Sequence, residues 1–232
     1  MNGYPYSPSQ LGVRPAPALV QQLLVGAFGW MFAGMLLTAA VAYMVTASIG
    51  VTSTVQGLWL PLIIGQLILG MALQLGINRF SATVGLLLFF VYAASIGLVV
   101  GVVVQYYTGG SVVSAFVSTA AMFGGAALFG AVTRRSLAGV GGLASLAVIG
   151  LFVAIIVNVF LRSTLIGFLI SIIGVVLFTA LTAWDVQRIV SGQYAAITRS
   201  AERASVLAAF HLYLDAINLF LFLLRIFGGG RR

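Results

Sequence analysis

The chain has 232 residues, of which 62% are hydrophobic and 6% charged; a soluble domain carries about 25% charged residues, so this composition excludes one and marks an integral membrane protein. Cysteine is absent, which excludes disulfides and thiolate metal sites, and lysine is absent too, which excludes a retinal Schiff base. The net charge of +8 rests on arginine alone; the arginines stand near the ends of apolar runs, where they read as topogenic anchors, and nucleic acid is not an expected partner.

Residues 1–19 hold four of the five prolines, Pro5, Pro8, Pro15 and Pro17. This stretch predicts a disordered cytoplasmic tail. It is a poor secretory signal, because it has one positively charged side chain and the apolar segment behind it is too long. Seven apolar runs follow, at about 22–46, 58–77, 82–106, 111–132, 138–161, 165–190 and 205–227. Each is near the roughly 20 residues that span a bilayer. The runs are far longer than strands and show no alternation, so the fold class is an all-α integral membrane protein with a seven-helix domain over 20–232.

Pro61 falls in the first turn of the second run, where its missing N–H costs little. Gly97 and Gly101 form GxxxG, and Ala126 with Gly130 forms a second small pair beside Gly124–Gly125. Such residues let helix backbones approach closely; packing within one chain is the expectation, with a monomer rather than a homodimer. The arginines orient the chain with its N-terminus inside. Arg14, Arg79, Arg134, Arg135, Arg188, Arg199 and Arg203 then share the cytoplasmic side. Arg231 and Arg232 fall outside, which a re-entrant last segment would avoid. A full span is preferred, because the run is long enough and has no internal break.

The chain has three acids, Asp185, Glu202 and Asp215. Glu202 lies between Arg199 and Arg203 and reads as a solvated loop acid. Asp185 ends the sixth run and Asp215 lies about ten residues into the seventh. Antiparallel neighbours can bring the two together. Two carboxylates in a poorly solvated site cannot both ionise cheaply, so the pair titrates as a unit. It is a candidate proton-sensitive latch, and its oxygens suit a transient contact with a hard cation such as Ca²⁺. The bland alternative is a pair of acids that glue helices through Asn218, Gln187 or backbone.

His211, Asp215, Asn218 and Arg225 share one face of the last helix. An ionisable stripe there costs about 2.5–3.5 kcal/mol per central charge on insertion scales, so it predicts a helix enclosed by the other six. Arg79, at the end of the second run, could pair with Asp185 or simply anchor the interface. His211 could tune Asp215 or be a satisfied packing residue. Asn218 and Gln187 are candidates for tuning or pore lining. Enzyme readings do badly: there is one histidine, no GxSG, no HExxH and no phosphate loop, so no catalytic residue and no cofactor is expected.

Four segments carry a family resemblance. INRFSATVGLLLFFVYAASIGL (77–98), the long segment 114–161, TAWDVQRI around Asp185 and HLYLDAINLFLFLLRIFG around Asp215 are similar, in order, to the Bax inhibitor-1 family. That resemblance implies six helices wrapped around a central C-terminal one. It implies a pH-sensitive Ca²⁺ leak channel gated by Asp185 and Asp215, with Arg79 matching a latch arginine by position. Ca²⁺ would be a permeant ion and the bilayer of a bacterial plasma membrane the surroundings. Some bacterial members resemble modulators of membrane AAA proteases, so a non-conducting regulator with a protease partner is the alternative, and a proton-coupled transporter a weaker one. Three departures stand out. Arg135–Ser136 replaces the family's Lys–Asp after helix four, Trp184 precedes Asp185 where tyrosine is frequent, and His211 stands where a small or hydroxylic residue is usual.

Overall fold

The computed structural model describes residues 15–228, and among these every regular element is a helix. In chain order they are α1 (Pro17–Thr46), α2 (Ile49–Gly57), α3 (Trp59–Gly76), α4 (Ala82–Val104), α5 (Gly109–Val132), α6 (Ala138–Leu161), α7 (Thr164–Val190), α8 (Gln193–Thr198) and α9 (Ala201–Phe227). Seven of these, all but α2 and α8, are long and apolar enough to cross a membrane. The chain is a multi-span all-α membrane protein.

Most boundaries lie within a few residues of the predicted runs, and the exceptions have local causes. α1 begins at Pro17, not near residue 22. Proline is tolerated at a helix start because the N–H it lacks would have no intrahelical partner. Residues 17–19 of the expected tail are therefore helical, while residues 1–14 lie outside the described residues. α9 begins at Ala201 rather than 205 because the Ser200 hydroxyl accepts from the Arg203 backbone N–H at 3.3 Å, an N-cap. Ser48, Ser81 and Thr108 cap α2, α4 and α5 in the same way. The short helices α2 and α8 fill links that the apolar pattern left as loops. α9 runs to Phe227 without a break, as a full span requires.

The chain forms two compact units, Met1–Tyr106 with Arg188–Tyr213, and Tyr107–Gln187 with Leu214–Arg232. In the first, α4 lies against α1 through its small residues. A Cβ built at Gly97 would meet the Thr38 carbonyl oxygen at 2.8 Å, and one at Gly101 the Ala42 carbonyl oxygen at 2.8 Å. The GxxxG pair thus serves packing inside the chain. An aromatic core grows beside it: Phe89 meets Tyr213 edge to face at 5.4 Å, and Tyr92 meets Phe210 at 5.1 Å. The Thr38 hydroxyl donates to the Ala93 carbonyl at 2.9 Å. Its proton is then committed, so the Tyr213 hydroxyl, 2.7 Å away, is the donor to Thr38.

In the second unit, Gly130 of α5 packs on the backbone of Ala183 in α7, and Gly141 of α6 on the Trp184 ring. Gly124 and Gly125 face open space. Phe178 of α7 stacks on Phe222 of α9 at 5.8 Å. α9 is the most enclosed of the seven spans, with 67% of an 18-residue apolar stretch buried against at most 39% for any other.

Candidate functional site

Asp185 and Asp215 both belong to the second unit. Each falls on the inner stripe of its helix. On α7, Ser171, Val175, Phe178, Thr182, Asp185 and Ile189 are all buried, at alternating spacings of four and three. On α9, Ala208, Leu212, Asp215, Leu219 and Leu223 form the corresponding row. The helix pattern that buries leucine and valine therefore also buries the acids, at 5% and 4% exposure. Hydroxyls on the α7 stripe bond back to their own helix, Ser171 to the Gly167 carbonyl and Thr182 to the Phe178 carbonyl.

The neighbouring amides have other work. Gln187 clips the α5–α6 link: its Oε1 accepts from the Leu137 N–H at 2.8 Å and its Nε2 donates to the Arg135 carbonyl at 2.8 Å. Asn218, half-buried, donates to the Leu214 carbonyl of its own helix at 2.8 Å. Arg79 is exposed in the turn after α3. Of the four polar residues on one face of α9, Asp215 alone is fully buried. His211 and Asn218 are half-buried, and Arg225 is exposed near the helix end. Among the described residues no group of three or more His, Cys, Asp or Glu side chains gathers to hold a metal ion.

His211 has a partner that sequence reasoning missed. Its Nδ1 lies 2.7 Å from the hydroxyl of Tyr194 on α8. Arg188 donates to the same hydroxyl at 3.1 Å, and its guanidinium sits 4.2 Å from the centre of the Tyr194 ring. Tyr194 is fully buried. The available clue was one aromatic residue, Tyr194, in the link QYAAITRSAERAS.

A family model described as inhibitor of apoptosis-promoting Bax1 matches residues 20–232, which include all of the spans but the first turn of α1. The chain belongs to that Bax inhibitor family. The inner membrane protein YbhL of Escherichia coli K12 is 40% identical over 237 residues, covering the whole of both chains. A protein of Deinococcus radiodurans is 40% identical over 89% of this chain and 90% of its own. YrjE of Lactococcus lactis is 37% identical over 88% of this chain and 90% of its own. As a Bax inhibitor family member with seven apolar helices and an inner-membrane relative, it is a multi-pass bacterial membrane protein.

Proposed function

We propose that the chain is a pH-sensitive leak channel for a cation such as Ca²⁺, gated by Asp185 and Asp215, with its N-terminus on the cytoplasmic side of the plasma membrane. The observation that carries the reading is the burial of both acids in membrane-length helices of one compact unit. Helix gluing alone can be achieved by small residues and hydroxyls, as α1 and α4 do through Gly97, Gly101 and Thr38. Two acids in such a place are costly, and intramembrane acids by default mark ion or proton pathways. Protonation changes the charge of the pair and hence the attraction between its helices and any cation at its oxygens. In this reading Arg79 contributes from the interface, and Arg79→Gln alters the gate less than either acid substitution does.

The alternative, a non-conducting regulator that binds a membrane AAA protease or another membrane partner, draws on one observation. Gln187 and Asn218, the amides nearest the acids in sequence, are engaged with backbone carbonyls and an N–H, which leaves few polar groups to line a path.

Ca²⁺ flux into proteoliposomes between about pH 5 and pH 8 decides between them. The channel reading expects a flux that titrates in the parent protein and is lost in Asp185→Asn with Asp215→Asn. No flux above empty vesicles in either protein rejects it and leaves the regulator.

A further inference from the structure

Within the unit Met1–Tyr106 with Arg188–Tyr213, α1, α4 and the start of α9 enclose a half-open cavity of about 310 Å³. Its polar lining, Gln22, Thr83, Glu202 and Ser205, comes from the first turn of α4, the first two turns of α9 and the second turn of α1. Its apolar lining includes Leu86 and Trp30. Gln22 and Trp30 are separated by about 12 Å along α1, so the cavity leads from the helix ends into the apolar depth. Trp30 is 39% exposed and held edge-on by Phe90 at 6.2 Å.

Glu202 is the one acid of the chain that is exposed. Among the described residues no cation pairs with it. Its Oε2 accepts from the Ser200 hydroxyl at 2.6 Å, and the adjacent Arg203 turns its Nη1 to the Asn78 carbonyl at 3.5 Å. The buried Ser205 hydroxyl donates to the Ala201 carbonyl at 2.9 Å, so toward the cavity its oxygen can only accept. A carboxylate and a hydroxyl whose proton is spent call for a positively charged donor. Leu86 and Trp30 call for an apolar continuation of the same molecule.

We propose that this cavity binds a primary-amine phospholipid of the phosphatidylethanolamine type. The ammonium donates to Glu202 and Ser205, and the start of the acyl chains lies against Leu86 and Trp30. A quaternary choline head has no N–H to donate, and an anionic glycerol head carries no charge that matches Glu202. The proposal stands apart from the gating reading and uses neither Asp185 nor Asp215.

Native mass spectrometry of the full chain, released from micelles with equal amounts of phosphatidylethanolamine, phosphatidylcholine and phosphatidylglycerol, tests it. The expected result is retention of the ethanolamine lipid about tenfold above the other two, equivalent to about 1.4 kcal/mol. Glu202→Gln, an exposed substitution, brings the ethanolamine lipid down to the level of the choline lipid. Trp30→Leu lowers all three lipids together. Equal retention of the three lipids by the parent protein overturns the proposal, and so does an ethanolamine preference that survives Glu202→Gln. Complete displacement of the lipid by free ethanolamine overturns it in favour of a small soluble amine.

Discussion

α6 and α9 are both membrane-length helices, and they invert the rule of soluble proteins. An 18-residue apolar stretch of α6 has a mean hydropathy of 2.7 with 17% of it buried, whereas that of α9 has 1.9 with 67% buried. The more apolar helix is the more exposed. In water the ordering would be the reverse, but lipid is as apolar as leucine and exerts no hydrophobic pull between helices. Burial goes instead to the helix whose polar groups must leave the lipid. α9 carries the buried Asp215, whereas α6 is richer in small residues, Gly139, Gly141, Gly142 and Gly150 among them, but carries no acid. On α6 the enclosed stripe is narrow, Gly141, Ala144, Leu151 and Asn158.

The contrast breaks most visibly if an acid is moved. Ile149 of α6 is 63% exposed, so Ile149→Asp places a carboxylate in lipid. It should lower membrane insertion by about 2.5–3.5 kcal/mol in a translocon-based insertion assay. Insertion equal to that of the parent would mean that this face of α6 meets water or protein.

A smaller effect separates two adjacent glycines. Gly141 packs on the Trp184 ring, and Gly142 faces open space. Gly141→Val should cost about 1–3 kcal/mol in unfolding from detergent micelles, while Gly142→Val at the next position is near neutral. Equal costs at both positions would place the enclosed stripe of α6 elsewhere.

On the enclosed side, Tyr213→Phe removes the bond to Thr38 and should cost about 1 kcal/mol. Thr38→Val should be non-additive with it in a double-mutant cycle, because the two act through one shared bond. Smallest of all is Leu146→Ala on the exposed face of α6, expected within about 0.5 kcal/mol of the parent.

The spans were legible because each is a long apolar run, and the enclosure of α9 was legible from the polar residues it carries into the membrane. The burial of Asp215 followed from the same cost of an acid in lipid. What could not be read were contacts that depend on links between spans. The coverage of His211 by Tyr194 needs α8, a helix of six residues whose capping residues Gly192 and Arg199 both take left-handed backbone. An arginine in that conformation carries no compositional signal, since glycine is the usual choice. Gln187, a candidate partner for the acids or a pore-lining residue, stands two residues from Asp185. On a helix, however, that spacing turns it to another face, where it meets the α5–α6 link. Arg225 shares the face of Asp215, yet its place in the last turn brings it to the surface.

Because the chain has no cysteine, single cysteines can report directly on whether the enclosed helix opens to water. Ala216→Cys, next to Asp215 and 2% exposed, and Leu146→Cys, on the exposed face of α6, would be labelled in proteoliposomes with a small membrane-impermeant thiol reagent. Rates at each pH would be normalised to a free thiol, whose own reactivity changes with pH. The account predicts that Ala216→Cys is labelled only at the pH where Ca²⁺ passes, that this dependence disappears when Asp185→Asn and Asp215→Asn are added, and that Leu146→Cys stays unlabelled throughout. Labelling of Ala216→Cys that does not change with pH, or that keeps its pH dependence without the two acids, would contradict it.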